Sequence, residues 1–324
     1  MTLQGIWTIY RKEMEDHFSS VRFLLIAALI VMVGVIIASM VGMAMQEELR
    51  GVAKPTFVFL MLFTSTGKLF SFVQFIGLLG PLIGIILGFD AINRERSGRT
   101  LSKLVSQPIY RDAIINAKFL AGVTMIAILM VSLVLMISGL GIRLIGVVPG
   151  AEEAWRLLIY LVLAILYISF WLGAAILFSV VFRSTATSAL ASLAVWIFLS
   201  FFVGLGGGFL ADAVAPMTQT TDMAEATKAF MKNAEIQRVV SLVSPMTLYG
   251  DATSTILDPM RKSPRSFILM GPLERFSLSR FQNPLPLGQS MVIVAPFMIS
   301  LIAITFVCFG ICYAVFMRQE IRST

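Results

Sequence analysis

Six long stretches of this chain are almost wholly apolar, and the connections between them are polar or charged. The runs fall at about 22–45, 72–90, 115–140, 157–182, 187–210 and 290–317. A hydrocarbon core of roughly 30 Å takes about 20 helical residues to cross, and each run is of that order. Inside lipid every backbone N–H and C=O must be paired within its own segment, so runs of this kind predict helices. The turn between the fourth and fifth runs, Phe182-Arg183-Ser184-Thr185, is so short that these two must be antiparallel neighbours. The pattern predicts an all-α polytopic membrane protein with six transmembrane helices.

Two further segments carry a different pattern. Over 3–21, Leu3, Trp7, Tyr10, Met14, Phe18 and Val21 share one helical face, with Lys12, Glu13 and Asp16 on the other. Such a helix is expected to lie along the inner membrane interface. The segment 211–289 is too polar for a span and holds seven of the 12 prolines. Helical periodicity runs from Thr221 to Val243 through Met223, Phe230, Met231 and Ala234. Ser244-Pro245 then reads as an N-cap and first-turn proline, opening a short helix through Met246, Tyr249 and Ile256. The expectation is a small outer subdomain on the outer leaflet or lining the outer exit. The chain thus divides into an interfacial helix (1–21), five spans with a charged connection at 90–118 (22–210), the outer loop (211–289), and the sixth span with its tail (290–324).

Composition agrees with a membrane protein: 58% hydrophobic, 13% charged, mean hydropathy +0.89. The net charge of +7 is spread over loops with no aromatic-interleaved basic patch, so it speaks for membrane orientation rather than for nucleic acid. Charge also sets that orientation. With both ends inside, the inner segments hold 12 of the 25 Lys and Arg in about 60 residues, and the outer ones hold the rest in about 120. Both termini are therefore expected in the cytoplasm of a cell (plasma or inner) membrane. The first apolar run lacks a small-x-small cleavage site and reads as a retained span.

The second run contains Gly77, Gly80, Gly84 and Gly88, the last three at intervals of four, a ladder that permits close helix approach. Pro81 within it and Pro296 in the sixth run are expected to kink their helices.

No catalytic constellation emerges. The one histidine, His17, sits beside Asp16 in the interfacial helix, and there is no metal-binding spacing of histidines. Six methionines in the outer loop lack the His or Cys that a copper site needs beside them. Cys308 and Cys312, both in the last apolar run, offer no disulfide framework and read as small apolar fillers. A phosphate-binding loop is missing as well: Gly67-Lys68 follows Leu62 where a glycine belongs and leads into Leu69 rather than Ser or Thr. Charges such as Asp90, Arg143 and Arg183 lie only at span ends, unlike the internal charges of an ion-coupled carrier. A transporter of this make-up draws its energy from another chain.

The densest charge lies in Asp90–Lys118, DAINRERSGRTLSKLVSQPIYRDAIINAK. Together with Tyr10-Arg11-Lys12-Glu13 and the order of elements, this stretch resembles the type-2 ABC exporter permeases. The nearer likeness is to the branch of copper-enzyme-maturation and sodium-efflux-type permeases. The resemblance covers nearly the whole chain, with one small departure: Arg99 stands between Gly98 and Thr100 where many members have Gly-Thr-Leu. It implies a homodimer or heterodimer with a second permease chain, and two cytoplasmic ABC ATPase subunits that carry the ATP and magnesium. This chain would then hold no cofactor.

The resemblance also implies that Asp90, Arg94, Glu95, Arg96, Leu101, Leu104 and Val105 dock the ATPase. The residues suit that work: Leu101, Leu104 and Val105 form an apolar ridge ended by Pro108, with charges around it. A translocation route between the second and fifth spans of two chains would pass Gly80, Gly84 and Gly88 on one and Ser192 or Ser200 on the other. A mostly apolar or amphipathic cargo is expected. Two other classes stay open on the residues: a membrane scaffold passing ATPase motion to an outer partner, and a secondary transporter, which the missing internal charges and repeats disfavour.

Overall fold

The computed structural model describes residues 3–48, 57–64, 71–98, 110–216, 223–260 and 284–319. Among these there are helices and turns and no strand. Six helices are long and apolar enough to cross a membrane. The first four are Val21–Glu48, Phe72–Gly88, Arg111–Ile145 and Ala151–Val181, and the sixth is Leu287–Arg318. The fifth, Thr185–Val214, is composite: α-helical to Ile197, π-helical over Phe198–Phe202, then α-helical again. Helices overrun the apolar runs where polar residues finish them. The second span opens on a capping box, in which Ser71 Oγ accepts from Gln74 N and Gln74 Oε1 accepts from Ser71 N. The third ends on Gly146 in the left-handed region (φ +67°), a conformation glycine adopts without strain.

The fourth span is the axis of the bundle, and the second and sixth spans pack along it. Tyr160, Tyr167, Ile168, Trp171 and Leu172 on it are all buried. The glycine ladder lies against this same helix. A Cβ at Gly84 would come within 2.6 Å of Ile168 O and 2.7 Å of Leu172 N, and one at Gly88 within 2.8 Å of Leu172 O. A Cβ at Gly80 would meet Ile168 at 3.2 Å. The close approach that the ladder permits is therefore made within the chain, to the fourth span.

The outer segment departs furthest from expectation. Its first helix, Met223–Ser241, runs back down the upper fifth span, with Asn233 Nδ2 donating to Asp212 Oδ1 (2.9 Å) and to Ala215 O (3.0 Å). After the turn at 242–244 the helix Pro245–Leu257 climbs through the interior, and every one of its 13 residues is buried. Tyr249 stacks on Tyr167 at 4.6 Å between ring centroids, and its hydroxyl lies 3.3 Å from that of Tyr160. Met223–Ser241 stays on the surface against the fifth span, with Phe230, Met231 and Val239 exposed, while the helix Pro245–Leu257 is inserted in the bundle. Its polar look in sequence is cancelled locally. Thr253 Oγ1 donates to Tyr249 O (2.7 Å), and Ser254 Oγ and Thr255 Oγ1 donate to Asp251 O (3.0 and 2.9 Å), so these hydroxyls enter the core already paired.

Arg156 holds the upper end of this inserted helix. It is fully buried; its guanidinium donates to Ile256 O (2.9 Å), Leu285 O (2.6 Å), Ser290 Oγ (3.2 Å) and Glu152 Oε1 (2.8 Å), and lies over the Phe57 ring. The adjacent Glu153 accepts from Gly150 N (2.8 Å) and Phe59 N (3.0 Å).

The N-terminal helix, Leu3–Phe18, packs against the lower third span. Its buried edge is Ile9 and Glu13, while Trp7 is 61% exposed and Phe18 and Val21 are exposed too. Of the apolar face read from sequence, Trp7 and Phe18 point outward, as a lipid-facing surface would, while Tyr10 and Met14 pack against the bundle. One acidic residue assigned to the polar face is buried instead.

Candidate functional site at the base of the bundle

The N-terminal helix, the foot of the sixth span, the turn after the second span and the turn at 182–184 gather at one end, here the base. The turn after the second span leaves through Phe89 and forms a short helix, Asn93–Ser97. A single hydroxyl fixes its start: Ser179 Oγ of the fourth span accepts from Ile92 N (2.9 Å) and Asn93 N (3.1 Å). Two donors that a helix start would leave unpaired are thereby met inside the bundle.

Successive residues of the short helix point about 100° apart, which divides the charged run Arg94-Glu95-Arg96 into three roles. Arg94 faces solvent. It lines an open cavity of about 540 Å³ with Asp16, Arg22, Asp90, Ser97 and Thr185. Asp90 accepts from Arg22 Nη1 at 3.0 Å, and Arg22 also lies over the Phe89 ring. Glu95 turns inward and meets Lys12 Nζ at 2.9 Å and Lys118 Nζ at 3.5 Å. Arg96 runs sideways to Gln319 Oε1, at the foot of the sixth span. Arg111 Nη1 donates to Gln319 O (3.2 Å), and Gln319 Nε2 donates to Val180 O (2.8 Å). Gln319 therefore holds both stems of the 99–109 segment to the fourth and sixth spans. Leu101, Leu104 and Val105 lie outside the described residues.

Behind the turn is an ion cluster. Lys118 Nζ lies 2.6 Å from Glu13 Oε1, and the side chains of Lys118, Glu13 and Glu95 are 4%, 8% and 9% exposed. Burial works against the Lys12 ammonium. Its hydrogen bond to Glu95 and the nearby carboxylates of Glu95, Glu13 and Asp16 outweigh that and raise its pKa above the usual lysine range. His17 is pushed below the ordinary histidine range, chiefly by burial and further by Lys118, against the opposing pull of Glu13, Asp90 and Asp16.

Residues 7–321 match the family described as ABC-2 family transporter protein. The chain belongs to that family. The family is one of transporter proteins. Two similar proteins are each named probable ABC transporter permease protein NosY. One, from Pseudomonas aeruginosa, is 28% identical over 149 residues, 46% of this chain and 49% of that protein. The other, from Stutzerimonas stutzeri, is 30% identical over 117 residues, 36% of this chain and 38% of that protein. The matched stretch thus spans half or less of the length of these relatives.

Among the other residues singled out in the permease sequence, Ser192 and Ser200 are buried in the fifth span rather than on its open face. Ser192 Oγ donates to Ser188 O (2.8 Å), and Ser200 Oγ has no hydrogen-bond partner among the described residues. Sequence reasoning missed Ser179, Gln319 and the pairing of Lys118 with Glu13. Lys118 stood at the end of the charged stretch, but nothing in a linear pattern connects it with a carboxylate 105 residues earlier.

Proposed function

We propose that this chain is the membrane-spanning subunit of an ATP-driven exporter, powered by a separate ATPase that docks on the base. One observation carries the reading. In a chain of the ABC-2 family, the described residues on either side of 99–109 are held at the base through Ser179, Glu95, Arg96 and Arg111. A push on a segment so held reaches the third, fourth and sixth spans directly. The ridge Leu101, Leu104 and Val105 would seat in the ATPase, with ATP and magnesium bound there, and Arg94 and Asp90 would flank the contact. In this reading the base faces the cytoplasm of the cell membrane.

A second permease chain completes the assembly against the fifth span. That helix leaves Leu190, Phe198, Phe202, Leu205 and Phe209 uncovered and contributes little to its own bundle. The π-helical turn at Phe198–Phe202 is a local fault in its hydrogen-bond ladder, of the kind found where a helix must change shape. Switching between two packings of the fifth span would open the path outward. The middle of every span is free of charge, which favours an apolar or amphipathic cargo.

The test is co-purification of the chain with its ATPase, comparing the parent with Leu104→Asp. An unpaired carboxylate on the ridge is costly to bury, so the variant should keep its fold and lose the ATPase. Retention of the ATPase at parent level would remove the ridge from the contact.

A further inference from the structure

We infer that the ion cluster of Glu13, Lys118 and Glu95 locks the N-terminal helix to the base turn, with Lys118 as the positioning residue at its hub. The N-terminal helix and the turn then move as one body. The inference rests on the reading that the turn is where the ATPase docks.

Three elements meet at one ammonium. Glu13 belongs to the N-terminal helix, Glu95 to the short helix of the turn, and Lys118 to the third span, two turns above its start. Lys118 reaches Glu13 at 2.6 Å and Glu95 at 3.5 Å, and Lys12 closes the ring by reaching Glu95 at 2.9 Å. Separating the N-terminal helix from the turn would leave at least one of these nearly inaccessible carboxylates without its cation. A buried charge stripped of its partner is far costlier than an exposed pair broken in water. The remaining contacts of the helix are apolar, through Ile9 and its neighbours, apart from the hydrogen bond that Tyr10 Oη donates to Thr124 Oγ1 (3.2 Å), and apolar contacts tolerate sliding. The ion cluster does not, because its hydrogen bonds hold only at short range. A hydrophobic anchor would need only an outward apolar face, which Trp7 and Phe18 already supply. The inward Glu13 is unnecessary for anchoring and is what ties the anchor to the turn. ATPase motion at the turn would therefore be felt by the N-terminal helix at the membrane surface.

The experiment measures distances between spin labels in the full chain, in lipid nanodiscs, with Cys308 and Cys312 replaced by alanine. One label pair, Arg11→Cys with Ser97→Cys, spans the lock. The other, Arg11→Cys with Leu190→Cys, spans the N-terminal helix and the fifth span. In the permease alone, the first pair should give one narrow distribution, which Lys118→Arg keeps. Lys118→Met should lose the single narrow peak. Should Lys118→Met fail to fold, the neutral variant Glu13→Gln/Glu95→Gln/Lys118→Met leaves no buried charge unpaired and should show the same loss. With ATPase bound and trapped by vanadate, the first distance should stay put while the second shifts. A distribution in Lys118→Met and the neutral variant as narrow as the parent's overturns the lock, as does a nucleotide-driven shift of the first distance equal to that of the second. Failure of the ATPase to bind a parent whose first distance is narrow, and whose peak is lost in Lys118→Met, would instead sink the docking reading and leave the lock standing.

Discussion

The hydroxyl of Tyr167 donates a hydrogen bond of 2.7 Å to the carbonyl of Gly77, four residues before Pro81. In an unbroken helix that carbonyl accepts from the amide of the residue at position 81, and proline has none to give. The fourth span thus supplies, from a phenol, the donor that the second span lacks. This explains how a proline sits inside a span in surroundings where an unmet carbonyl is costly. Tyr167→Phe should destabilise the protein by about 1–3 kcal/mol. In a Pro81→Ala background, where the amide returns, the same change should cost much less. Thermal unfolding of the four proteins in detergent closes the cycle, and equal costs in both backgrounds would disprove the substitution of one donor for another.

Gly84 tests the packing of the second span on the fourth. Its Cβ would meet backbone atoms of Ile168 and Leu172, which cannot swing aside as a side-chain tip can. Gly84→Ala is expected to lower stability by about 1–3 kcal/mol. Gly139 has open space around it, and Gly139→Ala should not. Comparable unfolding midpoints for the two variants would contradict the close contact.

Arg156 makes a sharper demand on chemistry. Its guanidinium serves four acceptors on three segments. Arg156→Lys offers three donors from a single atom and cannot reach them all. Both Arg156→Lys and Arg156→Met should loosen the helix Pro245–Leu257 before the rest of the bundle, read as faster amide exchange there. Leaving a buried acceptor such as Ile256 O without its donor costs about 1–3 kcal/mol. Unchanged exchange in that helix would show that Tyr249 and its neighbours hold it unaided.

His17 gives the base a pH dependence of defined sign. Its folded pKa lies below the ordinary 6.5, so the unfolded chain takes up the proton first as pH falls. Its contribution to stability is complete above that value and declines below it, down to the folded pKa. The unfolding midpoint should fall between about pH 7.5 and about pH 5.5, the range over which histidine titrates, and fall less in His17→Gln. An identical drop in both proteins would show that His17 is not the source of the acid sensitivity.

The six spans were legible because hydropathy over some twenty residues is a strong signal with one physical cause. The inserted helix was legible as a helix from Ser244-Pro245, but its burial was not, because its Thr, Ser and Tyr residues score as polar one at a time, while these hydroxyls find partners on a neighbouring turn or helix. The amphipathic N-terminal helix was legible as a helix, but its burial was not. Glu13 is inside because Lys118 is there to receive it, and that pairing exists only in three dimensions. The run Arg94-Glu95-Arg96 looked like one charged surface and became an outward cation, an inward carboxylate and a lateral tie. The glycine ladder pointed correctly to close approach but not to its partner, since a sequence pattern does not say which helix comes close.

The account stands or falls on which end of the bundle meets the ATPase. A photo-crosslinking residue placed at Arg94, on the base, and separately at Ala151, at the opposite end of the fourth span, decides it in intact cells that also express the ATPase. The account predicts an adduct between the permease and the ATPase from position 94 and none from position 151. An adduct from position 151, or none from position 94 when the two proteins co-purify, would contradict it.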